Sequence, residues 1–200
     1  MISAAVGCGA CPGCLMGPAA YRVARLGDTL AALGHTVEDR GDVGPGELGS
    51  ETAANPAVHH LSETLGWTRE LALAGRDACA TGLPIFLGGD HSLSMGSVNG
   101  VARHWQEQGR KLFVLWLDAH TDYHTLETTR SGNLHGTPVA YFTGRAGFEA
   151  FPPMPAPVAE ERVAMLGIRS VDAEEATRIG GTAIAVTDMR AIDEVGIARP

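Results

Sequence analysis

Apolar positions along the chain follow two recurring patterns. Short continuous apolar runs alternate with longer stretches in which apolar residues return every three or four positions. The runs predict strands over residues 2–6, 84–87, 111–117, 162–168 and 183–186, with a weaker, polar-alternating strand over 35–43. The periodic stretches predict helices over 19–33, 58–80, 92–108 and 172–179, and a further helix opening at 135–143. Pro18 suits the first turn of one of them, and Gly34 the residue just past its end. The intervening segments are turn-rich (7–17 and 44–56), polar (118–134) or Pro/Phe-rich (146–157). The run over 111–117 is nearly continuous in apolar residues, which predicts a central parallel strand covered on both faces. Strand then helix, repeated, predicts a single α/β domain over 1–200. Its sheet is open, mostly parallel and doubly wound in a three-layer αβα arrangement.

Composition narrows the function. Apolar residues make up 44% and charged residues 19%, enough for a folded core. Fifteen Lys+Arg stand against 23 Asp+Glu, a net charge of −8, which disfavours a nucleic-acid backbone or an anionic membrane as partner. No apolar run approaches membrane-spanning length, and the N-terminus lacks the basic start of a signal peptide, so a cytoplasmic location is expected. Cys8, Cys11 and Cys14 are spaced Cys-x2-Cys-x2-Cys, with Cys79 apart. Three thiols without a matching fourth read better as small residues of a Gly/Pro-rich loop than as a metal or iron–sulfur half-site.

In an open α/β sheet, ligands gather beyond the carboxyl ends of the strands. Two strand ends carry ionisable groups: Gly88-Gly89-Asp90-His91-Ser92 and Asp118-Ala119-His120-Thr121-Asp122. If the second strand stays extended, Asp118, His120 and Asp122 share one side, and His91 could close the cluster from the neighbouring strand end. Two carboxylates so close call for a cation between them. Carboxylate and imidazole without thiolate favour an ion such as manganese over structural zinc. Gly88 and Gly89 read as positions where a side chain would block the site, and Asp90 as an orienting or helix-starting residue.

These two motifs, with Ser131-Gly132-Asn133-Leu134-His135-Gly136 and Gly167-Ile168-Arg169-Ser170-Val171-Asp172, resemble the arginase branch of the ureohydrolases over most of the chain. The resemblance implies a homo-oligomeric enzyme, trimer or hexamer, holding two Mn2+ ions. It would hydrolyse the guanidinium group of L-arginine to ornithine and urea. By position, His91, Asp118 and Asp122 would serve one ion and His120 the other, with Asp118 bridging. His135 would return a proton to the departing amine. Thr129, Ser131 and Asn133 would meet the substrate carboxylate, and Asp172 the α-amino group.

Two features depart from the family pattern. His124 stands where arginases usually carry an Asn that touches the substrate carboxylate, which leaves room for agmatine or another guanidino acid as substrate. No Asp-x-Asp follows Asp122, and the late Glu of the family is missing. The chain therefore reads as the N-terminal part of such an enzyme, expected to bind manganese weakly and to turn over little arginine by itself. A non-catalytic truncated relic is the rival from another class.

Overall fold

The computed structural model describes residues 1–4 and 12–197. Its elements, in chain order, are β1 (Ile2–Ala4), α1 (Gly17–Val23), α2 (Leu26–Ala32), α3 (Leu61–Cys79), β2 (Phe86–Gly88), α4 (Leu93–Glu107) and β3 (Val114–Leu117). Then come α5 (Pro138–Phe142), β4 (Val163–Ile168), α6 (Ala173–Gly180), β5 (Ala185–Asp188) and α7 (Met189–Val195). Every strand pairing is parallel, as the β-then-α alternation predicts. Among the described residues β1 pairs with β2, and β3, β4 and β5 form a second sheet in that order. The two strands that carry the ionisable motifs, β2 and β3, are thus both edge strands.

The long helices α3 and α4 pack closely because small residues face the contact. A Cβ on Gly96 would sit 2.6 Å from the Thr68 carbonyl oxygen, and one on Gly100 2.2 Å from that of Ala72. Inside, Met95, Trp116, Tyr123, Leu134, Val139, Phe142, Val163 and Met165 form one continuous apolar cluster. It joins α4 and α5 to β3 and β4, and it supports the site from below.

Several expectations need correction. The helix expected over 19–33 is two helices, because Arg25 takes a left-handed conformation (φ 58°) and turns the chain. Residues 35–43 form no strand beyond an isolated bridge at Asp42; ion pairs from Arg22 to Asp39 (2.9 Å) and Asp42 (2.7 Å) hold the segment to α1 instead. The helix expected from 135 is a 3-10 turn, Leu134–Gly136, followed by the short α5. β3 is not covered on both faces: Trp116 is buried, but Leu115 and Leu117 are 57% and 66% exposed, as is Phe113 just before the strand at 58%. Its continuous apolar run supplies a second face that no described element covers. A Cβ on Gly88 would meet Leu93 Cδ2 at 1.9 Å, so that glycine admits the first residue of α4 rather than keeping the site open.

Of the cysteines, Cys8 and Cys11 lie outside the described residues. Cys14 is half-buried in a 3-10 turn, and Cys79 is buried at the end of α3, where burial raises its thiol pKa.

Candidate metal centre and active site

A cleft of about 490 Å3 opens beyond the carboxyl ends of β2, β3 and β4. Its wall includes Asp90, His91, Asp118, His120, Asp122, His124, Ser131, His135, Asp172 and Glu175. Backbone bonds explain how these residues converge. Asp118 N–H donates to the Leu166 carbonyl (3.2 Å), and the N–H groups of Arg169 (2.9 Å) and Ser170 (3.0 Å) both reach the Ala119 carbonyl. These bonds bind the loops after β3 and β4 together. Val139 N–H to the Asp122 carbonyl (3.0 Å) and His124 N–H to that of Gly136 (3.2 Å) then fix the turn carrying His135 against the same loop.

The strand does not continue through the Asp-x-His-x-Asp motif. β3 ends at Leu117, and Asp122 adopts φ 47°, a left-handed conformation that Asp tolerates better than most residues. A folded-back loop, not an extended strand, brings the carboxylates together. His91 Nδ1 lies 2.6 Å from Asp118 Oδ2 and 3.0 Å from Asp122 Oδ2. The His91 ring stacks on Trp116, centroids 4.1 Å apart, which fixes its plane. His120 is more peripheral, 57% exposed, with Nδ1 3.5 Å from the other Asp118 oxygen, Oδ1. Asp118 Oδ1 also accepts the His120 backbone N–H (3.0 Å), so one carboxylate faces a histidine on each side.

This trio fits a divalent cation. His91, Asp118 and Asp122 each offer a ligand atom, all within 4.8 Å of one another. Two ligands each about 2.1 Å from an ion at right angles stand about 3 Å apart, close to the spacings found here. Asp122 Oδ2 is buried and, although His91 Nδ1 lies 3.0 Å away, meets no fully formed hydrogen bond among the described residues. Burial raises the Asp122 carboxyl pKa above its ordinary range; His91 opposes the rise, and Asp118 and Glu175 add to it. Burial also works against a charged His91, yet Asp122 and Asp118 lift its pKa above the usual imidazole value.

A profile of the Arginase family matches residues 5–200. The chain belongs to the arginase family. It is 54% identical over 190 residues to the arginase of Agrobacterium fabrum, covering 94% of this chain and 59% of that relative. It is 51% identical over 187 residues to the arginase of Brucella melitensis, covering 93% and 61%. The native structure of Bacillus caldovelox arginase superposes with a TM-score of 0.86 at 31% identity, covering 99% of this chain and 67% of that one. The chain spans about 60% of the length of the curated relatives it matches.

In this arginase-family chain a second cluster lies along the same cleft. His124 Nε2 is 2.9 Å from Asp172 Oδ2 and 3.8 Å from Glu175 Oε2, while its Nδ1 is 3.2 Å from the Thr128 hydroxyl. Asp172 starts α6, accepting the N–H groups of Glu174 and Glu175 (both 2.9 Å). The Glu175 N–H, more than His124, holds the Asp172 carboxyl below its ordinary pKa. Ser131 lines the cleft; Thr129 is buried, its hydroxyl accepting the Gly132 N–H (3.1 Å), and Asn133 is half-buried in the same turn. Neither Thr129 nor Asn133 lines the cleft.

Glu175 is the residue that sequence reasoning missed. It stands three residues after Asp172, a spacing that suggests a reciprocal cap for α6. Instead the side chain turns inward, is 6% exposed, and accepts the Tyr123 N–H (2.9 Å). The acidic residue at the third helical position was visible; its inward turn was not.

Proposed function

We propose that this chain carries the manganese-holding and substrate-reading part of an enzyme that hydrolyses the guanidinium group of L-arginine to ornithine and urea. The observation carrying the reading is the meeting of His91, Asp118 and Asp122 around a buried carboxylate oxygen, with ligand atoms of all three within 4.8 Å of one another. Hard-to-borderline oxygen and imidazole ligands suit Mn2+. His91, Asp118 and Asp122 would hold one ion and His120 would contribute to a second, with Asp118 shared between them. When bound, the ions supply a hydroxide nucleophile near neutral pH.

The chain's own groups do the remaining work. Asp172 and Glu175 place negative charge on the cleft wall, where an α-ammonium group would be neutralised. Ser131, which lines the cleft, would meet the substrate carboxylate, with Thr129 and Asn133 in the same turn. The His135 imidazole, whose pKa Asp90 lifts above the usual imidazole value, would give a proton to the departing amine. Trimeric or hexameric assembly and a cytoplasmic location belong to the same reading.

His124 favours a second reading, a related guanidino compound. An imidazole that joins Thr128 to Asp172 has one N–H fewer to offer a carboxylate than a primary amide. A chimera separates these readings. In it this chain replaces the matching segment of Agrobacterium fabrum arginase, and urea release is assayed with Mn2+. A folded chimera should release urea from L-arginine far faster than from agmatine. Preference for agmatine or a shorter guanidino acid would support the second reading, and a folded, manganese-loaded chimera releasing no urea from any of them would refute both.

A further inference from the structure

Asp90 has two carboxylate oxygens with different environments. Oδ1 accepts both the backbone N–H (3.1 Å) and the hydroxyl of Ser92, an arrangement that shapes the turn leading into α4. Oδ2 is buried and has no hydrogen-bond partner among the described residues. A carboxylate serving only to shape that turn would leave its second oxygen to solvent. This one instead points toward another buried and unpartnered atom, Nδ1 of His135, 3.8 Å away.

Each of these two atoms lacks what the other has. A carboxylate oxygen can only accept, and an imidazole nitrogen can donate if it carries the proton. Closing the gap by about 1 Å would bring them into the ordinary N–H···O range. With Nδ1 buried and facing Asp90, Nε2 is the ring nitrogen left to serve the cleft.

We propose that Asp90 is the positioning residue for His135: it holds the ring proton on Nδ1 and fixes the imidazole plane, leaving Nε2 to exchange a proton with a ligand in the cleft. The orientation stands on the two facing orphan atoms alone; its catalytic value rests on the reading of His135 as the proton donor. Asp90 acts through His135 and does not touch the reacting atoms. The same logic operates where a buried carboxylate sets the tautomer of a catalytic histidine. The neighbouring charges agree. Asp90 is the main influence lifting the His135 pKa against the opposing effect of burial, with Asp122 adding to it and His91 subtracting.

The test is the tautomer of His135 in the metal-free 200-residue chain, read from side-chain nitrogen chemical shifts of histidine-labelled protein. Eight histidines are present, and a His135→Gln variant assigns the resonance. The pH is set high enough to leave the ring neutral. Wild type should show the proton on Nδ1, against the preference of free imidazole side chains for Nε2. Asp90→Asn retains an oxygen for Ser92 and the turn leading into α4 but turns an amide donor toward Nδ1. It should move the proton to Nε2 while the backbone spectrum stays folded. Ser92→Ala, which disturbs Asp90 Oδ1 only, should leave the tautomer on Nδ1. A wild-type ring protonated on Nε2, or a folded Asp90→Asn protein with an unchanged tautomer, overturns the proposal. Neither outcome bears on whether the chimera releases urea, so the two readings fail separately.

Discussion

At the scale of single residues, burying the Asp122 carboxylate carries a cost that its proposed cation would relieve. Asp122 is buried, its carboxyl pKa is raised chiefly by that burial, and the Asp118 carboxylate beside it adds to the rise. Asp122→Asn removes that buried charge and suits the left-handed backbone at this position. We expect its metal-free Tm to rise by roughly 2–4 °C, about 1 kcal/mol for a domain of this size, as measured by calorimetry. A fall would mean that the carboxylate is already satisfied in the empty site. This trade of stability for function is common where a site is built to hold a ligand. His91, Asp118 and Asp122 were legible in the sequence because each directly follows an apolar strand or lies within one motif. Glu175 was hidden because its spacing from Asp172 fits an ordinary helix cap.

At the scale of elements, the strand and helix order was legible, while breaks set by tertiary contacts were not. Arginine is a good helix former, so nothing local marks Arg25 as the junction of α1 and α2. Polar alternation over 35–43 suggested a strand, yet the segment is held by side chains from α1. Those contacts have a pH signature. The Arg22 guanidinium, with help from the Gly41 N–H, lowers the Asp39 carboxyl pKa from 3.8 to about 2. A depressed folded-state pKa stabilises the fold above the unfolded value and loses that contribution as pH falls through the folded one. The Arg22–Asp39 contact should therefore be fully effective above about pH 4 and fade toward pH 2. Carboxyl NMR titration should place Asp39 near 2 in wild type and move it up toward 3.8 in Arg22→Ala. An Asp39 titrating near 3.8 in both proteins would show that the pair does not form.

At the scale of the whole molecule, the apolar residues of β3 divide between a core face and an open face. The sequence alone could not separate them, because a run such as Phe113–Trp116–Leu117 is apolar on both sides. Phe142 is fully buried and contacts Trp116, whereas Leu115 is 57% exposed. Phe142→Ala should cost about 3–5 kcal/mol of unfolding free energy. Leu115→Ser should change it by no more than about 0.5 kcal/mol and should reduce self-association, since exposed apolar faces and open strand edges both promote it. Denaturant titration and sedimentation would check both. A large stability loss in Leu115→Ser would mean that its face is covered in solution.

Manganese binding to the 200-residue chain, followed by electron paramagnetic resonance titration in wild type and Asp122→Asn, tests the metal site most directly. Saturable binding in wild type should weaken by about 10-fold or more in the variant, even though the variant is expected to be the more heat-stable protein. Equal affinity in the two proteins, or no saturable binding in wild type, would contradict the assignment of His91, Asp118 and Asp122 as a cation site.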